Sequence, residues 1–123
     1  MIDLVISGAS DKPIYQQIVD QLSGQIVRGE LEPGTMLPPI RTVAKELRIS
    51  VITIKKAWEE LEHLGFIYTM VGRGCFVANL STREIKDKRS ILMEEKIAKD
   101  ITYYKSLGVT LDEIIEAIRK GYG

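Results

Sequence analysis

The chain has little of what builds covalent or metal-held scaffolds: its 123 residues include one cysteine, Cys75, and one histidine, His63. A lone thiol excludes an internal disulfide, and one cysteine with one histidine cannot assemble a four-ligand zinc site. Aromatic residues make up only 7% of the sequence, and 17 Lys and Arg stand against 17 Asp and Glu, so neither sign of charge is in excess. Zero net charge excludes a wholly basic coating protein and an acidic disordered tail. No apolar run approaches the length of about 18 residues needed to cross a bilayer. The opening MIDLVISGASDKP lacks the basic region and long apolar core of a secretory signal, which predicts a cytoplasmic chain without a membrane partner. No G-x-S-x-G, H-E-x-x-H, Walker A or G-x-G-x-x-G pattern occurs, so neither catalysis nor a cofactor or metal is expected.

What is present is an ordinary globular composition, 45% hydrophobic and 28% charged. From Asp11 to Arg28, Ile14, Ile18, Leu22 and Ile26 recur at helical spacing beside Tyr15, Val19 and Val27. Asp11 is the expected N-cap, Pro13 fits the first turn, and Gly29 closes the helix. ELEPGTMLP reads as a turn-rich connection around Pro33-Gly34. Pro38 then opens a second helix with Ile40, Val43, Ala44 and Leu47 on one face. Ser50 caps a third helix that ends at Gly65, with Ile54, Ala57, Trp58, Leu61 and Leu64 turned inward and Ile52, Lys55, Lys56, Glu59 and His63 turned outward. FIYTM and CFVAN, joined around Gly72 to Gly74, read as an antiparallel hairpin.

Three helices followed by a hairpin is the layout of a winged helix-turn-helix, assigned to residues 1–80. From Ser81 the texture changes to a long polar helix, a break at Gly108, and a last helix opened by Thr110 with Glu113 three residues on, a capping-box pattern. Two such helices, residues 81–123, cannot enclose a core alone and should pack on the first domain, on a second subunit, or on both. The expected fold is mainly α with a small β-hairpin (α+β).

Function is suggested by where the charge sits. Between Arg41 and Trp58 the positive residues are Arg41, Lys45, Arg48, Lys55 and Lys56 and the only acid is Glu46, so the window carries five minus one, or +4. Glu59, Glu60 and Glu62 fall in the C-terminal half of the third helix. A recognition helix meets base edges through its N-terminal residues, so this polarity suits a DNA reader. The bland alternative is a winged-helix module for protein association with an incidental basic face.

The segment from Pro13 to Val77 resembles the DNA-binding domain of GntR-family bacterial transcription regulators. IVRGELEPGTMLP, RTVAKEL, AWEELEHLGFI and GRGCFV carry the likeness, in order and spacing over about half the chain. The LPPIR form of the second helix, the YQQI opening and the short tail are similar to the YtrA-type subgroup. The resemblance implies a homodimer joined through the C-terminal helices, probing a pseudo-palindromic operator in double-stranded DNA, and acting as a repressor. Forty-odd residues after Asn79 are too few for the metabolite-binding domain of larger relatives, and a small-molecule effector is left open.

Carried over by residue, the resemblance puts Arg41 on DNA from the second helix and Ser50 at the recognition-helix cap. Thr53 and Lys55 fall on positions that touch bases or phosphates, and Lys56 extends the basic face. Arg73, between Gly72 and Gly74, sits at the wing tip, where a side chain enters the minor groove or grips a phosphate. Val51 and Ile52 depart from the polar residues usual in the family. Neither can hydrogen-bond a base edge, so contact there is limited to groups such as a thymine methyl, and an A·T-rich site is expected. Trp58 is read as core, His63 as an exposed helix residue, Cys75 as a small, half-buried strand residue, and Tyr103-Tyr104 as subunit packing.

Overall fold

The computed structural model describes residues 2–123. Its elements are α1 (Ile14–Val27), α2 (Ile40–Leu47), α3 (Val51–His63), β1 (Ile67–Met70), β2 (Gly74–Val77), α4 (Thr82–Ser106) and α5 (Leu111–Tyr122). The mostly helical α+β fold with a two-stranded antiparallel hairpin is the expected one. The chain divides into two compact units, one ending at Thr82 and one spanning Arg83–Gly123.

In the first unit, α1 supplies Ile18, Leu22 and Ile26, α2 supplies Val43 and Ala44, and α3 supplies Ile54, Ala57, Trp58 and Leu61, all buried. Each fully buried aliphatic or aromatic side chain contributes roughly 1.5–3 kcal/mol through removal from water. Phe66, Ile67 and Val77 bring the hairpin into the same core. Trp58 lies on the inward stripe, as expected, whereas Leu64 at its end is only half-buried.

Helix starts correct the sequence reading. Asp11 does not cap α1: Pro13 occupies the N-cap, with no side-chain cap. The second helix, read as opening at Pro38, begins two residues later at Ile40, with Pro39 as its N-cap. The preceding residues are held extended by the hairpin. Leu37 N–H donates to Cys75 O at 2.8 Å, Val77 N–H donates to Thr35 O at 2.8 Å, and Met36 bridges Phe76 antiparallel. The connection thus makes the turn read at Pro33-Gly34, with Thr35 N–H donating to Glu32 O at 3.1 Å, and then lends a short third edge to the sheet. The second strand ends at Val77, short of Asn79, with the Ala78 N–H to Phe66 O bond at 2.9 Å closing the ladder in the same register.

A further arrangement lies before α1. Gln21 exchanges two hydrogen bonds with the backbone of Val5, at 2.8 and 2.6 Å, Gln17 does the same with Ser7, at 2.8 and 3.0 Å, and Gln25 donates to Asp3 O at 2.6 Å. Glutamines four apart on a helix rise about 6 Å per step, close to the ~6.6 Å of two residues in an extended chain. The comb therefore matches alternate residues 3, 5 and 7 of an antiparallel segment and satisfies backbone groups as a neighbouring strand would.

The second unit holds α4 and α5. Thr110 Oγ1 accepts from Glu113 N–H at 3.2 Å and Glu113 Oε1 accepts from Thr110 N–H at 2.9 Å, completing the expected capping box. On α5, Leu111, Ile115, Ile118 and Tyr122 recur at spacings of four, three and four and are exposed, with Tyr122 at 93%.

Candidate nucleic-acid interface

The turn between α2 and α3 is made by Arg48, whose φ of 56° and ψ of 47° put a non-glycine residue in the left-handed region. That conformation costs roughly 1–3 kcal/mol and persists where the surroundings enforce it. Here Ile49 N–H donates to Ala44 O at 2.9 Å, which terminates α2 and swings the chain into α3. Ser50 then caps α3 as expected, its Oγ accepting from Thr53 N–H at 3.2 Å. The same Oγ lies 2.8 Å from Thr53 Oγ1. Thr53 is half-buried, with its hydroxyl beside the cap.

Around this start Arg41, Lys45, Arg48, Lys55 and Lys56 are exposed. Lys55 Nζ lies 4.0 Å from Glu59 Oε1, an exposed i,i+4 pair that leaves most of its charge to solvent. Lys56 Nζ stands 4.0 Å from the centroid of the Tyr15 ring. Val51 is 37% and Ile52 78% exposed, so an apolar tip projects between the cations.

The hairpin pairs Ile67 with Val77, Tyr68 with Phe76, Thr69 with Cys75 and Met70 with Gly74. Its tip turns at Gly72 and Gly74, whose φ values of 78° and 124° are disfavoured for side-chain-bearing residues. Arg73 between them is exposed, and its N–H donates to Met70 O at 2.9 Å. Cys75 is half-buried on β2 with Sγ 3.3 Å from Thr69 Oγ1. All ten sequence-assigned positions therefore lie on α2, the start of α3 or the hairpin tip.

Glu62 was missed by sequence reasoning, which saw only an acid at the far end of α3. Its carboxylate accepts from Thr69 N–H at 3.2 Å and from Thr69 Oγ1 at 3.1 Å, tying β1 to α3. The Lys56–Tyr15 contact was likewise absent from the sequence reading. No local signal discloses either, because each joins side chains from separate elements.

Comparison with known proteins gives the arrangement a context. Residues 14–77 match the model of the bacterial regulatory proteins of the gntR family. The chain is 30% identical to the HTH-type transcriptional repressor YtrA of Bacillus subtilis (strain 168), over 94% of this chain and 88% of that protein. It superposes on a transcriptional antiterminator of Listeria monocytogenes EGD-e with a TM-score of 0.77 and 30% identity, covering 99% of this chain and 91% of the other. The DNA-binding domain of AraR, solved in complex with its operator ORX1, matches with a TM-score of 0.54 and 28% identity over 63% of this chain and 96% of that one. Among the described residues, no helix is long and apolar enough to cross a membrane.

Proposed function

Because the chain belongs to the gntR family of bacterial regulatory proteins, we propose that it represses transcription by occupying a pseudo-palindromic operator as a homodimer. Residues 1–80 form the DNA-binding domain and residues 81–123 the dimerisation tail. The observation that carries this reading is the start of α3: it is capped by Ser50, set at a fixed angle to α2 by the left-handed Arg48, and surrounded by exposed cations. Two such helices, one per protomer, would enter successive major grooves about one helical turn apart.

In this reading Arg41 and Lys55 take phosphates or base edges, and Lys56 extends the contact. Ser50 and Thr53 hold the helix start while Val51 and Ile52 pack against the groove floor. Arg73 reaches the minor groove or its phosphates from the tip made by Gly72 and Gly74. Support for the homodimer comes from α5, whose stripe of Leu111, Ile115, Ile118 and Tyr122 is exposed and has the continuity of a helix-packing seam.

The test is a salt-titrated binding measurement on duplex DNA from upstream of the protein's own gene, against a random duplex of equal length. The expected result is a steep salt dependence and a specific affinity at least ~10³-fold above random. Arg41→Ala and Lys55→Ala should each weaken binding and lower the log–log salt slope by about one unit per protomer, with the fold intact. Unchanged affinity in both variants, or equal binding to both duplexes, would favour a protein-association module.

A further inference from the structure

Beside the basic face lies a cavity of about 310 Å³, between the start of α2 and the hairpin. Its volume is at the small end of ligand pockets. Its walls are mostly apolar, from Leu37, Pro38, Pro39 and Trp58, yet both Arg41 and Arg73 line it. Neither guanidinium has an ion-pair partner among the described residues. The walls are also preformed. Two consecutive prolines fix the backbone at the entry to α2, Trp58 is 4% exposed and held by the core, and Leu37 is hydrogen-bonded to Cys75 across the cavity's edge. A preformed pocket avoids the ordering cost of binding.

We propose that this cavity binds a small carboxylate with an apolar body, the body against Trp58 and the prolines and the carboxylate paired with Arg41 and Arg73. Charge complementarity selects this occupant. Both arginines are exposed, so a neutral apolar molecule gains nothing from their charge, whereas a carboxylate accepts the planar two-donor face of guanidinium. The same two arginines are DNA contacts in the reading above, so an occupied cavity withdraws them from phosphate and lowers DNA affinity. That second consequence rests on the DNA reading; the binding itself does not.

Trp58 is the only tryptophan of the chain, so its indole N–H gives a single resonance in the ¹⁵N-labelled full-length protein and reports the cavity directly. The probes are 2-naphthoate and its neutral counterpart 2-naphthamide. We expect a saturable shift of the Trp58 indole with naphthoate, at least about tenfold weaker with naphthamide and in Arg41→Gln or Arg73→Gln, as loss of a charge-assisted hydrogen bond requires. Cys75→Leu, which adds bulk to the lining, should abolish the shift while the amide spectrum stays native. No saturable shift, equal affinity for the amide, or indifference to both arginine variants would overturn the site. An indole resonance that moves with protein concentration alone would overturn it in favour of a second copy as occupant.

A duplex titration of the wild type with saturating naphthoate reads the coupling. Several-fold weaker DNA binding supports antagonism, and unchanged affinity overturns it. Absence of salt-dependent duplex binding by the ligand-free protein would instead overturn the regulator reading and leave the indole result standing as evidence for the site.

Discussion

Lys56 of α3 is held over the ring of Tyr15 in the first turn of α1, with Nζ 4.0 Å from the ring centroid. A cation over an aromatic face gains about 0.5–1 kcal/mol at an exposed site. A double-mutant cycle with Lys56→Ala and Tyr15→Leu, read by denaturant unfolding, should return a coupling of that size. For DNA, Lys56→Ala removes the charge and should lower the salt slope. Tyr15→Leu keeps the charge and only frees the side chain, so it should cost less affinity than Lys56→Ala. Equal losses in the two variants would show that Tyr15 itself touches the duplex.

Glu62 joins the wing to α3 through two hydrogen bonds to Thr69. Exposed hydrogen bonds contribute about 0.5–1.5 kcal/mol net, so Glu62→Ala should destabilise by about 1 kcal/mol. For a domain of this size that lowers Tm by roughly 4 °C or more. Amide exchange at Thr69 should quicken, and adding Thr69→Val should cost little further, since both changes remove one interaction. Full additivity in the double variant would contradict the contact.

Val51 and Ile52 project at the start of α3 with no polar atom to offer a base. Selection of binding sequences from random duplex should therefore return A·T pairs beneath the helix start, where a thymine methyl meets the side chains. Ile52→Ala should reduce that preference more than overall affinity. An invariant G·C pair at those positions would remove the basis for this expectation.

At the start of α5, the backbone hydrogen bond from Thr110, reinforced by the Thr110 side chain, holds the Glu113 carboxyl below the usual carboxylate range. A folded-state value below the unfolded one means the contribution is present above the ordinary glutamate pKa of about 4.3 and lost as pH falls through the lower folded value. The Thr110 and Glu113 amide resonances should titrate together in that acidic window. Glu113→Gln should abolish the titration, and Thr110→Ala, which keeps the backbone donor and removes only the smaller side-chain contribution, should raise the Glu113 carboxyl only part of the way toward its ordinary range.

Much of this site was legible from residue types at fixed spacing. Ser50 before Val51 announced the cap of α3, the pair Gly72 and Gly74 announced the wing turn, and the stripe from Ile54 to Leu61 separated core from face. These are local signals, written in rotamer preference, backbone freedom and helical period. The misassignments came where a distant partner competed with local preference. Asp11 is a good cap residue, yet α1 starts after Pro13, and Gln17, just inside the helix, accepts from Ser7 N–H and donates to Ser7 O and Lys12 O. The turn read at Pro33-Gly34 forms, with Thr35 N–H donating to Glu32 O at 3.1 Å, yet residues 35–37 beyond it are drawn extended by β2. Glutamines at 17, 21 and 25 were a visible four-residue repeat whose meaning depended on the extended segment opposite them.

The sequence by itself determined the helices, the hairpin and the locally basic face within a neutral chain, because periodicity, capping and charge are properties of neighbouring residues. Only the tertiary structure decided how that face is equipped: that Lys56 is restrained by Tyr15, that Glu62 anchors the wing, and that Arg41 and Arg73 line one apolar cavity with Trp58. Those relationships join residues on separate elements, from seven positions apart for Glu62 and Thr69 to 41 for Tyr15 and Lys56. They form only when the core packs α3 against α1 and brings the hairpin beside α2, and no local preference encodes the meeting.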